Sequence, residues 1–199
     1  MKSSMRAVWV AMGFLWCGCG TSPNTTYYTL AAVSGTLRQA SFGTVEVRRP
    51  GIAGYRDRTE ILAQWDGQRL ELADNACWGE PIAAMIGRVL ADDLSERLRG
   101  TIVLGASSEL SIQAAVVVEL VIRKFDLGTD GYVHLNVLAS IRRAGETSTR
   151  AVALQTRPVG TDTGAVVAAM SNLLGQLADE LANALLTRAD SAPSQGRAH

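Results

Sequence analysis

The sequence predicts an α+β domain of mixed α/β character: one sheet of about six to seven strands with two long amphipathic helices packed on it, in the order ββββ-α-βββ-α. Three observations lead there. Apolar residues alternate with period two in segments both before and after residue 80. Two stretches, near residues 80–99 and 163–188, repeat apolar residues at helical spacing. No G-x-G-x-x-G or P-loop pattern follows any strand, which argues against a doubly wound nucleotide fold.

Taken in order, the first strands are short. Tyr27-Tyr28-Thr29-Leu30 is aromatic, and "TVEVRR" alternates Val45 and Val47 with Glu46 and Arg48. "EILAQW" and "RLELA" flank Asp66-Gly67, a strong hairpin signal because both residue types accept the turn's backbone angles. The first helix follows, with Ile82, Met85, Ile86, Val89, Leu90, Leu94 and Leu98 on one stripe. Arg88, Asp92, Asp93, Glu96 and Arg99 fall largely outside it. Pro81 suits the first helical position and Gly100 the stop.

The pattern then repeats. Ile112, Ala114, Val116, Val118, Leu120 and Ile122 line one strand face; Val133, Leu135, Val137, Ala139 and Ile141 line the next. "TRAVALQTR" is a shorter strand, and "GTDG" and "RAGET" supply turns. The second helix carries Val166, Met170, Leu173, Leu174, Leu177, Leu181 and Leu185. Ala165, Ala169, Gly175, Ala178 and Ala182 keep it thin enough to approach a sheet, and Asp162 or Thr161 can cap its start.

The N-terminus reads as a targeting segment. Lys2 and Arg6 precede an uncharged run from Ala7 to Trp16, too short to span a bilayer. Gly18-Cys19 then supplies a small residue before a cysteine, the arrangement of a bacterial lipobox, although Leu15 lies one residue further back than usual. Residues 1–18 are therefore expected to be a lipoprotein signal peptide, with acylation at Cys19. Residues 19–26 form a tether, 27–188 the domain and 189–199 a disordered tail. Gly20 rather than Asp after the cysteine favours the outer membrane, on its periplasmic face, by analogy with Gram-negative lipoprotein sorting.

Composition narrows the function. Basic and acidic residues balance at 19 each over 199 residues, so no nucleic-acid footprint is present. With Cys17 removed and Cys19 acylated, Cys77 is the remaining thiol, which allows neither an internal disulfide nor a cysteine metal site. A Cys77–His134 dyad would need an oxyanion motif that the flanking residues do not provide, so Cys77 reads as a small buried hydrophobe. Asp92 and Asp93 are helix neighbours and point apart. The expectation is a chain that is not an enzyme, with no cofactor and no metal.

What stands out is "RRPGIAGYRDRTEILAQWDGQRLELADNACWGEP", rich in the Arg, Tyr and Trp that dominate protein interfaces. Arg49, Tyr55, Asp57, Arg58, Trp78 and Glu80 are the candidate partner or self-association residues, with Arg56 a further forked donor of the loop. The competing readings are that Trp78 anchors the first helix to the sheet, the favoured one for a large aromatic, and that Asp57 serves only the local turn.

In this segment the chain resembles the ABC-type transport auxiliary lipoproteins, the PqiC/YmbA-like group. The resemblance rests on Cys19, then Tyr27-Tyr28-Thr29-Leu30, then Pro50…Tyr55…Asp57-Arg58…Ile61, then Trp78-Gly79-Glu80-Pro81. It covers nearly the whole mature chain; Thr59 and Cys77 depart from the pattern. The resemblance implies a non-catalytic partner of transporters bearing MCE domains, which move lipids between the inner and outer membranes and support membrane integrity. The lipoprotein would be held by its acyl chains and dock on the MCE tunnel, with a homo-oligomeric ring among the assemblies such a surface would serve. The competing class is a structural or assembly lipoprotein of the envelope without lipid traffic.

Overall fold

The computed structural model describes residues 24–65, 69–106 and 112–190. Cys19, the Asp66-Gly67 turn and residues 191–199 of the expected tail lie outside them. The elements are β1 (Thr26–Tyr28), β2 (Arg38–Gln39), β3 (Thr44–Val47), β4 (Gly51–Ile52), β5 (Glu60–Trp65), β6 (Leu70–Trp78), α1 (Ile82–Arg97), β7 (Leu98–Arg99), β8 (Ile102–Gly105), β9 (Val116–Leu127), β10 (Val133–Arg143), β11 (Glu146–Thr156) and α2 (Thr163–Asp190).

The chain is α+β with two long helices, as expected, but its strands do not join one sheet. The principal sheet has six strands, in the order β11-β10-β9-β3-β8, with β4 also paired to β9. β9, β10 and β11 form an antiparallel meander, while β3 and β4 run parallel to β9. The β5–β6 hairpin joins β1 in a separate three-stranded sheet, and β2 pairs with β7. The expected order ββββ-α-βββ-α becomes six short strands, a helix, five strands and a helix. Alternation identifies which face a strand buries; it does not identify its neighbour, and that is where the single-sheet expectation fails.

The helices cover one face of the principal sheet. Val116, Val118, Leu120 and Ile122 of β9 and Val133 to Ile141 of β10 are buried at alternate positions, against the predicted stripes of α1 and α2, whereas Ile112 and Ala114, expected on the same face, precede β9 and Ile112 is exposed. Each buried aliphatic side chain contributes about 1.5–3 kcal/mol. The register between β9 and β10 slips at Asn136/Val137, leaving Arg123 without an opposite residue. This bulge re-phases β9, so Phe125 rather than Lys124 continues the core row.

Turn chemistry accounts for the boundaries. Ala144 and Gly145 both take positive φ, 50° and 84°, the pair a tight β10–β11 hairpin requires. Asp162 caps α2, its Oδ1 accepting the Ala165 N–H at 2.9 Å. Pro81 is not the first helical residue; it precedes Ile82 with extended backbone and offers α1 no side-chain cap. Asp93, expected outside the α1 stripe, is buried.

Between β1 and β2 the chain forms an extended strap across both helices. Its backbone is held by side chains rather than by a ladder. The Leu30 N–H faces Met85 Sδ at 3.1 Å, the Ala31 N–H donates to Ser171 Oγ at 3.2 Å, and the Val33 N–H donates to Asp93 Oδ1 at 2.7 Å. Arg97 Nη1 donates back to the Val33 carbonyl at 2.9 Å. Gly175 of α2 serves this strap: a Cβ there would lie 3.1 Å from the Val33 Cβ. The thinness of α2 at that position thus admits the strap, where the sequence suggested close approach to a sheet.

Candidate docking surface

The segment from Arg48 to Glu60 leaves β3, touches β9 through β4, turns at Ala53–Asp57 and enters β5. The turn is closed by the Arg56 and Asp57 N–H groups, both donating to the Ala53 carbonyl. This geometry sorts the charged residues inward and outward.

Arg56 turns inward. Its Nη1 pairs with Asp126 Oδ2, both residues being buried, and its Nε donates to Tyr55 Oη at 2.9 Å. The sequence reading of Arg56 as a surface donor is therefore corrected: it pins the turn to β9. Asp57 is divided between two tasks. One oxygen accepts from Arg49 Nη2 at 3.1 Å; the other faces the Ala83 N–H at 3.4 Å, at the start of α1. A carboxylate there complements the helix dipole and stands in for the cap that Pro81 lacks. Trp78 is also internal, at 4% exposure, with its backbone N–H donating to the Thr59 carbonyl. It anchors the β6–α1 junction in the core rather than offering a face to a partner.

Tyr55, Arg49, Arg58 and Glu80 remain outward. Tyr55 is 41% exposed and lies 5.0 Å from the Arg56 guanidinium. Arg58 Nε pairs with Glu60 at 2.9 Å, and this bond holds the Glu60 carboxyl below its ordinary pKa. Glu80 receives Arg88 Nη2 at 2.6 Å. Arg49 and Arg88 border a hollow of about 130 Å³ floored by Ala84, Gly87 and Ala106. Gly87 keeps α1 close to the loop, since a Cβ there would meet Pro50 Cδ at 3.2 Å. The result is a surface of one aromatic ring, locally compensated arginines and a shallow floor of small residues.

Other candidates are not assembled. Cys77 lies in the three-stranded sheet opposite Tyr27 and Glu60, while His134 lies in β10 and bonds Asp130 at 2.9 Å. That bond lowers the Asp130 pKa. Among the described residues no three metal-ligating side chains gather. No described helix is long and apolar enough to cross a membrane.

A second charged cluster escaped the sequence reading. Arg97 is buried and donates to Asp179 through Nε at 3.1 Å and Nη2 at 3.3 Å; Arg38 of β2 reaches the same carboxylate at 3.1 Å. Burial raises the Asp179 pKa, but the hydrogen bonds from Arg97 and Arg38 prevail and leave it low. For Asp93 burial prevails instead and pushes the carboxyl up to about 6, against the pull of the Val33 N–H and Arg97. The i,i+4 spacing of Asp93 and Arg97 was a readable signal for the pair.

A family model described as the ABC-type transport auxiliary lipoprotein component matches residues 28–182, from the end of β1 deep into α2. The chain belongs to this family. No curated protein matches the sequence. Two crystal structures share the fold of this auxiliary lipoprotein. An uncharacterized protein is 17% identical with a TM-score of 0.69, over 81% of this chain and 99% of its own. A Xanthomonas campestris protein assigned to family DUF330 is 18% identical with a TM-score of 0.68, over 84% and 98% respectively.

Proposed function

We propose that the chain is a non-catalytic auxiliary subunit of an MCE-type ABC system that moves lipids between the bacterial membranes, anchored in the outer membrane by acyl chains on Cys19. The family match across nearly the whole folded domain carries this reading. Gly18-Cys19, a few residues before β1, supports the anchor, and Gly20 supports outer-membrane sorting. The acyl chains contribute about 0.8 kcal/mol for each CH₂ buried, enough for stable attachment when several chains share one residue.

Docking on the MCE tunnel is assigned to the outward set Arg49, Tyr55, Arg58 and Glu80. Arg56 and Trp78 hold that surface in shape from beneath, and Asp57, itself exposed, braces it through Arg49 and the Ala83 N–H. The same surface would serve a homo-oligomeric ring.

Purifying the full acylated chain from membranes and identifying co-purifying proteins and lipids tests the proposal. Permease, ATPase and MCE-domain subunits with bound phospholipid are expected. Recovery with envelope scaffold components alone, without transporter subunits or lipid, would instead support an assembly lipoprotein.

A further inference from the structure

The loop Gly128–Tyr132 and the loop Arg157–Asp162 lie at one end of the principal sheet. This follows from register: Leu127 opposes Val133, which opposes Thr156. An open cleft of about 410 Å³ lies between them, lined by Leu127, Gly131, Arg157, Pro158, Gly160 and Val166. Val159, at the tip, is 99% exposed. The Arg157 guanidinium stacks 4.8 Å from the Tyr132 ring, while Asp162 is engaged in the α2 cap and Asp130 with His134.

The chain enters the domain at this same end. The Tyr28 ring is placed so that a Cβ on Gly164, in the first turn of α2, would meet it at 3.9 Å. Its neighbour Tyr27 is 70% exposed. Cys19 lies seven residues before Thr26, so the connecting chain spans about 25 Å at most. Ile102 pairs with Thr44 at the opposite end of the sheet, and β9 alone separates the ends by roughly 35 Å. An exposed valine, an amphipathic tyrosine and a stacked cation at the tethered end suit a membrane–water interface, where rings with one wet edge settle and arginine meets anionic headgroups.

We propose that the end bearing Tyr27, Val159 and the cleft between the two loops rests on the bilayer surface that holds the N-terminal acyl chains. The proposal rests on the anchor at Cys19. It orients the domain: the β9–β10 and β11–α2 loops face lipid, and the end bearing Ile102 points away from the membrane.

The test uses the full chain, processed in cells and reconstituted in vesicles of phosphatidylethanolamine and phosphatidylglycerol. Val159→Cys and Ile102→Cys, each with Cys77→Ser, carry an environment-sensitive fluorophore, and nitroxide lipids are the quencher. Both positions are exposed, so neither label disturbs the core; circular dichroism checks the fold. Quenching several-fold stronger at 159 than at 102 is expected. Equal quenching at both, or a label at 159 that remains in water, would overturn the orientation. Shielding at 159 only when the transporter is present would also overturn it and assign this end to a protein. Palmitate incorporation in the same preparations tests the anchor separately. Unlabelled protein overturns both readings; labelled protein with an unquenched 159 overturns only this one.

Discussion

Arg56 and Asp126 bury opposite charges at the foot of the candidate docking loop. Removing one partner leaves the other charge uncompensated in a dry site, which costs far more than an exposed pair would. Arg56→Ala is expected to lose about 3–5 kcal/mol in urea unfolding. A loss below about 1 kcal/mol, the scale of an exposed pair, would contradict the pinning role. Asp93 predicts a pH dependence. Its folded pKa, about 6, exceeds its ordinary 3.8, so the folded chain holds this proton more tightly than the unfolded chain. Its contribution to stability is full below about pH 4 and is lost as pH rises through about 6. Asp93→Asn keeps an acceptor for the Val33 N–H and removes the titration. From pH 4 to pH 7 the variant should gain about 2 kcal/mol relative to wild type, read from urea unfolding at the two pH values. A constant difference would contradict the burial argument.

At the scale of elements, the strap depends on space left by small residues as much as on bonds. Gly175→Leu should push Val33 away, cost about 1–3 kcal/mol, and speed hydrogen exchange at the Ala31 and Val33 amides. Unchanged exchange would show that the strap is not held there. Both helices, the β9–β10 alternation and the Asp162 cap were legible in the sequence, because each is a local pattern. The strap was not, because its partners Met85, Asp93 and Ser171 are 55 to 140 residues distant and no period marks an extended segment bound by side chains. The division into three sheets was hidden for the same reason. Within the docking loop, residue types announced an interface, but not that Arg56 would find Asp126 some 70 residues on and leave the surface.

For the whole molecule, the sheet and the Arg56–Asp126 pair hold the loop so that Tyr55 and Arg58 share one surface. The most direct measurement compares association and stability in a single variant. Tyr55→Ala combined with Arg58→Ala should cost only about 1–3 kcal/mol, because it removes the Tyr55 Oη acceptor from Arg56 Nε and the surface Arg58–Glu60 pair but leaves the buried Arg56–Asp126 pair in place. The full acylated chain carrying both changes should lose its co-purification with ABC-transporter subunits. A variant that is stable, acylated, membrane-bound and still recovered with the transporter at wild-type strength would contradict the account.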